Sequence, residues 1–317
     1  MRPHKLNPDY FINRELGILA FNRRVLAQAE DERVPLLERL KFLTIFSSNM
    51  DEFFEVRVAG VKEQIRFNDL QTGPDGLLPK QVLSKICAEA HELVDHQYKI
   101  LNDVVLPRLA EQDIHFLRRG FWNDAQREWI KSYFFRELMP ILTPIGLDPA
   151  HPFPRVLNKS LNFAVELEGK DAFGRNSGVA IVQAPRALPR VIRLPAEVAG
   201  SEYSFIFLSS ILHAHVHELF SGMQVKGCYQ FRLTRDSDLN MDDEETKDLR
   251  LALQGELPHR QYGDGVRLEV ADSCPAEMSS FLLGQFGLGQ EDLYQVNGLV
   301  NLVRLMAIPD LVDRPEL

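Results

Sequence analysis

The chain has 317 residues, 45% of them apolar and 26% charged, with a formal charge of −9. That balance suits folded globular domains with ample core, and a prior of about 100–200 residues per domain expects two of them. An acidic surface excludes general binding of nucleic acid or any long polyanion: basic and acidic residues number 14 and 16 before Arg108, then 22 and 29.

Cys87, Cys228 and Cys274 are odd in number and widely spaced, with no CxxC pairing. This argues against a disulfide framework and against structural zinc. The opening Met-Arg-Pro-His-Lys-Leu-Asn-Pro has no apolar signal region. The best membrane candidate, Ser204 to Phe220, is broken by His213, His215, His217 and Glu218, so it is expected to be a buried strand and helix. No transmembrane segment and a cytoplasmic location are expected.

Residues up to Pro107 are expected to form helices throughout. The first runs from an Asn13 cap to about Glu30, and Pro35 suits the first turn of the next. Leu36, Leu40, Leu43 and Phe46 recur at helical spacing. The pattern then breaks at Ser47-Ser48-Asn49 and resumes through Phe53, Val56 and Val61 to about Asn68. Asn49 with Glu52 three residues on has the form of a capping box, so one expectation is a helix cap. The other is a carboxamide facing a cleft between two helices, where its paired donor and acceptor suit the edge of a purine. Gly73-Pro74-Asp75-Gly76 reads as a turn. A longer helix from Pro79 to about Leu106 puts Val82, Ile86, Ala90, Leu93 and Leu101 on one face, with Gln97 as its polar interruption. Short connections predict an antiparallel bundle.

Asn123-Asp124 caps a helix carrying Trp129, Ile130, Phe134 and Leu138. Pro140, Pro144, Pro149, Pro152 and Pro154 then predict an extended, stiff connector. Its plain role is a wall between layers; a functional one would expose Asp148, His151 and Arg155 at a mouth. Strands are expected over Leu161–Leu167, Gly178–Gln183, Arg190–Leu194, Tyr203–Leu208, Gln230–Thr234 and Val266–Val270. Helices are expected near Ser209–Phe220, Asp242–Leu253 and Pro275–Phe286, and a polar hairpin loop over Gly169–Gly178. The fold class is therefore α+β and multidomain: a helical bundle over 1–107, then an α+β head over 108–317 with a mainly antiparallel sheet.

No constellation completes a catalytic site. Asp236, Asp238, Asn240 and Asp242 have calcium-loop spacing, but Met241 and Lys247 stand where glycine and glutamate are needed. They read instead as acids at a helix start. His213 and His217 share a helix face without a placed carboxylate, which is too little for zinc. Phosphate loops and nucleophile elbows are absent from the sequence. Arg57, Lys62 and Arg66 read as a solvated face paired with Glu55 and Glu63 rather than a phosphate path.

Asn13-Arg14-Glu15-Leu16, Phe21-Asn22-Arg23-Arg24-Val25-Leu26, Leu36 to Leu43 and Ser48-Asn49-Met50-Asp51-Glu52-Phe53 together resemble the opening of a polyphosphate kinase of the phosphohistidine type. Leu142 to Pro154, Asn158 to Asn162 and Phe231 to Leu239 extend the resemblance over essentially the whole chain. It implies reversible transfer of the terminal phosphate of ATP to polyphosphate. It implies a phox-homology-like head with a part in dimerisation, giving a homodimer or higher homo-oligomer. ATP, ADP and inorganic polyphosphate are the implied ligands, with magnesium and the phosphohistidine supplied by later catalytic domains. The one site residue it carries over is Asn49, as an ATP contact. The expected role of this stretch is thus ATP binding and dimerisation, inactive alone; the alternative is an oligomerisation scaffold without nucleotide binding.

Overall fold

The computed structural model of the protein describes residues 7–148, 152–170, 178–237 and 263–317. Helix α1 (Arg14–Glu30) starts at Asn13, whose Oδ1 accepts from the Leu16 N–H at 3.1 Å while its Nδ2 donates to Asp75 at 2.7 Å. The cap thus also ties α1 to the turn ending at Gly76, a residue with φ of 76° that suits glycine. Leu19, Asn22, Leu26 and Ala29, spaced by three and four residues, form its buried stripe.

Helix α2 (Leu36–Glu52) runs straight through Ser47, Ser48 and Asn49, then passes through a π-helical turn (Phe53–Val58) into α3 (Ala59–Arg66). The expected break and capping box are therefore wrong: Asn49 is interior, and its carbonyl accepts from the Phe53 N–H. Burial decides this. Phe46, Met50, Phe53 and Phe54 are each no more than 2% exposed, and burying each contributes about 1.5–3 kcal/mol. The serines and asparagine cost at most ~0.7 kcal/mol each in helix propensity. Ser47 is also satisfied from outside, since Gln97 donates to its Oγ at 2.6 Å and to the Leu43 carbonyl at 2.8 Å. Gln97 lies on α4 (Pro79–Lys99), which continues through a second π turn (Ile100–Val105) into α5 (Leu106–Glu111). Val82, Ile86, Ala90, Leu93 and Leu101 are all buried, as the periodicity requires.

Helix α6 (Asp124–Tyr133) begins at Asn123 with a capping box to Gln126 and ends in a π turn (Phe134–Leu138). The proline-rich segment beyond is not merely a connector, because Pro144–Gly146 forms strand β2 on the edge of a sheet. Proline is tolerated there, at the first residue of an edge strand. His151 lies outside the described residues, as do Asp238, Asn240, Asp242, the expected helix Asp242–Leu253 and most of the loop between Gly169 and Gly178.

Among the described residues the larger sheet has six strands in the order β2–β4–β3–β7–β8–β9. They are β2, β3 (Leu161–Glu168), β4 (Val179–Gln183), β7 (Gln224–Arg235), β8 (Gly265–Ala271) and β9 (Leu293–Val296). All pairings are antiparallel except β8 with β9. A smaller sheet joins β1 (Ile114–Phe116), β6 (Tyr203–Phe207) and β5 (Val191–Arg193), with β1 parallel to β6. Helices α7 (Ala196–Ala199), α8 (Leu208–His215), α9 (Ala276–Phe286) and α10 (Ile308–Leu311) are the other helices among the described residues.

Period-two alternation splits the large sheet between two cores. Ala164, Ile181, Phe231, Leu233, Leu268 and Val270 pack with Met278, Leu282 and Leu283 of α9. Phe163, Val165, Ala180, Val182 and Val266 join the larger core that includes the helices. The end of the chain also returns to the helices, with a 3₁₀ segment (Leu302–Ala307) against α2 and the Leu317 carbonyl accepting from the Leu37 N–H at 2.7 Å. No helix among the described residues is long and apolar enough to cross a membrane.

Candidate functional site

The continuous rod from Leu36 to Arg66 carries two different faces. Successive residues turn by about 100°, so Asn49 and Asp51 point to nearly opposite sides. Asn49 is half-buried and Asp51 is 7% exposed.

On the Asn49 side, the partner is Asn22 of α1. Asn22 is 1% exposed and donates from Nδ2 to the Ile18 carbonyl at 3.0 Å. That bond fixes which end of its amide faces α2, and its Oδ1 accepts from Asn49 Nδ2 at 2.9 Å. The Asn49 carboxamide is oriented in turn. One N–H is used, leaving the second N–H and Oδ1 side by side at the helix surface, a donor–acceptor pair of the kind that reads adenine. Asn22 was not singled out as a site residue from sequence; its place within the Phe21–Leu26 string was the available signal.

On the opposite side, the rod is locked to the large sheet. Asp51 accepts from Arg232 Nη1 at 3.1 Å, from Arg232 Nη2 and, at 2.6 Å, from Arg267 Nη2. Glu269 accepts from Arg232 Nε at 2.6 Å and lies 3.2 Å from Arg267 Nη2. Both arginines are 2% exposed, so two cations and two anions are enclosed together. Burial opposes the Asp51 carboxylate, but Arg232 and Arg267 outweigh it and hold its pKa below the ordinary value. Burial likewise opposes the charge on Arg232, and Asp51 and Glu269 reverse the balance. Phe54, from the π turn, lies 4.5 Å beneath the Arg267 guanidinium and meets Tyr294 edge-on at 5.5 Å. Tyr294 stacks on His91 at 3.9 Å.

The basic face of the third helix is the solvated surface expected at Arg66, which is exposed near Glu63, but not at Glu55 and Lys62. Glu55 is 8% exposed and takes Asn158 Nδ2 at 2.6 Å and Lys159 Nζ at 2.7 Å. Lys62 pairs with Asp292 at 2.6 Å and donates to the Val266 carbonyl at 3.2 Å. Arg66 pairs with Asp264 at 2.8 Å as well as approaching Glu63 at 3.7 Å. Arg57 stands apart from these, on the wall of a cleft of about 740 Å³ between the third helix and the loop before α4.

Of the three histidines, His215 and His217 lie near each other, with ring centroids 6.3 Å apart. Helix α8 gives way to a 3₁₀ turn (Val216–Leu219), which removes the i, i+4 relation of His213 and His217. His213 meets Arg119 through Nδ1, and burial, reinforced by that arginine, lowers its pKa. His215 packs on Phe134.

Residues 11–117 match the family description "Polyphosphate kinase N-terminal domain" and residues 125–308 match "Polyphosphate kinase middle domain". Among similar curated proteins, a polyphosphate kinase of Neisseria meningitidis serogroup C is 63% identical over 304 residues, covering 96% of this chain and 44% of that protein. One of Pseudomonas putida is 61% identical over 307 residues, covering 97% and 42%. The crystal structure of polyphosphate kinase from Porphyromonas gingivalis superposes with a TM-score of 0.76 at 26% identity, over 96% of this chain and 41% of that one. The chain thus spans less than half the length of these relatives, and over that length it belongs to the polyphosphate kinase family as its N-terminal and middle domains.

Proposed function

We propose that this chain is the nucleotide-engaging portion of a cytoplasmic enzyme that moves the terminal phosphate of ATP reversibly to polyphosphate through a phosphohistidine. The observation that carries it is the Asn49 carboxamide, oriented by Asn22 with one N–H and Oδ1 left facing outward. Such a pair fits adenine, whose N6 amine donates and whose N7 accepts. In this reading Asn49 contacts ATP or ADP, and Asn22 is a positioning residue. The helical domain (1–107) supplies the base contact and the head (108–317), phox-homology-like, takes part in forming a homodimer or higher homo-oligomer.

Transfer also requires a nucleophile, in-line positioning and neutralisation of phosphate charge. Among the described residues no group of three or more His, Cys, Asp or Glu side chains is placed to hold a metal. The phosphohistidine and the magnesium ligands are assigned to the length that the relatives have beyond the matched part. These 317 residues alone are accordingly predicted not to turn over ATP; polymer synthesis by the pure chain would refute that.

Calorimetric titration with ATP tests the nucleotide reading. Saturable binding, weakened at least tenfold by Asn49→Ala and less by Asn22→Ala, is expected. If the wild-type chain binds no ATP yet sediments as a dimer, the oligomerisation scaffold replaces this reading.

A further inference from the structure

A second polar site is built into the head, away from Asn49. Five buried side-chain atoms among the described residues lack a hydrogen-bond partner, and three of them, Arg190 Nη1, Gln230 Oε1 and Asn301 Oδ1, belong to side chains that line one cleft. Such atoms are costly when left unpaired, and most buried polar atoms are paired. The three side chains line a common space with Arg304.

The backbone holds them in place. Arg190 precedes β5, and its carbonyl accepts from the Leu208 N–H at 2.9 Å. Gln230 sits within β7, in register with Phe163 of β3. Asn301 immediately precedes the 3₁₀ segment that packs on α2. These are anchored positions on a sheet and its flanks, the kind of support a preformed site requires.

The charge of the cleft runs against that of the chain. Burial pulls the Arg190 guanidinium down to about 10, and the charges that add to the effect are two further cations, Arg304 and Arg186. Arg190 Nη2 reaches only the Ala184 carbonyl, at 3.4 Å. Water filling the cleft would satisfy the amides and leave the arginines without a counter-charge. An oxyanion supplies that counter-charge. Its oxygens accept from guanidinium N–H groups, and a phosphate that keeps a P–OH also donates to an amide carbonyl.

The size is consistent. The cleft offers about 20 Å³ to the centre of a water-sized sphere. If roughly spherical, that space admits a body about 3 Å in radius once the ~1.4 Å of the sphere itself is added. A tetrahedral oxyanion has about that extent.

We propose that Arg190, Arg304, Gln230 and Asn301 form a phosphate-type oxyanion site in the head, taking either free phosphate or the terminal phosphoryl group of a longer molecule. The site is independent of the Asn49 reading, since it requires no nucleotide base.

The test titrates the 317-residue protein with inorganic phosphate, tripolyphosphate and ATP at constant ionic strength. Arg190→Gln, Arg304→Gln and, as a distant control, Arg33→Gln are measured alongside. At least one ligand is expected to bind saturably, with its Kd raised tenfold or more in both cleft variants and unchanged in the control. Binding of inorganic phosphate identifies the free ion; binding of only the longer ligands identifies a terminal phosphoryl group. Because Arg190 is partly buried, the exposed Arg304 carries the second arm, with circular dichroism confirming its fold. Asn49→Ala should leave the binding of inorganic phosphate and tripolyphosphate, which carry no base, intact, and this separates failure here from failure of the nucleotide reading. No binding by any of the three, or equal affinity in Arg304→Gln, overturns the proposal.

Discussion

Replacing Asp51 with alanine tests how the helical rod is fixed to the sheet. The substitution leaves Arg232 and Arg267, each 2% exposed, facing Glu269 as their remaining carboxylate in the cluster. One positive charge is then buried without compensation. Breaking a buried pair from one side costs about 3–5 kcal/mol, because the stranded charge keeps its desolvation penalty. With an m-value of roughly 3 kcal/mol/M, the urea midpoint should fall by about 1–1.7 M. Adding Arg232→Met should recover part of the loss, since removing both members of a buried pair leaves no orphan. The pH dependence follows in sign. The folded pKa of Asp51 lies below the ordinary 3.8, so its contribution is complete above about pH 4 and is lost as pH falls through the lowered value. Asp51→Asn should therefore flatten the acid limb of the stability curve. A midpoint shift under about 0.3 M for Asp51→Ala, or no recovery in the double variant, would refute the reasoning.

Three further outcomes are expected. Gln97→Ala should destabilise the protein by about 2 kcal/mol, because it creates a small void and strips Ser47 of a buried partner; equilibrium unfolding measures it. Asn123→Ala should cost about 1 kcal/mol through loss of the cap of α6, and restoring Ser or Asp there should recover most of it. His213, whose folded pKa is lowered from 6.5, contributes stability that is present above about pH 6.5 and declines as pH falls through the lowered value. Wild type should thus lose stability between pH 7 and 5 more steeply than His213→Gln, as thermal unfolding at each pH would show.

The long-period features of this fold were legible because their cause is local. The buried face of α4, the Asn13 and Asn123 caps and the alternation in β3 and β4 depend on residues within a turn or a strand of one another. What sequence did not reveal depends on distant partners. Strands β1, β2 and β9 are only three or four residues long and exist because β6, β4 and β8 pair with them. The serines before Asn49 stay helical because Gln97, 50 positions from Ser47, supplies a hydrogen bond. Asp51 finds its arginines 181 and 216 positions away. Even the candidate nucleotide contact owes its orientation to Asn22, 27 residues earlier. Residue types at Asn49 were readable; the second side chain that aims them was not.

The π turn between Phe53 and Val58 works as a gear tooth. It takes up one residue more than an α turn of the same rise, so it sets the angular phase between everything before it and everything after it. Asn49 and Asp51 lie upstream, while Lys62 and Arg66, which grip Asp292 and Asp264, lie downstream. Removing one residue there would close the turn to a regular α turn and keep the two halves in phase, whereas a one-residue change in the α-helical flanks would rotate one half against the other by about 100°. Either Asp51 would then leave its arginines or Lys62 would leave Asp292. Length in the flanks is therefore constrained more tightly than composition. Substitutions that keep Phe54 against Arg267 should be tolerated where a single-residue deletion in the flanks is not.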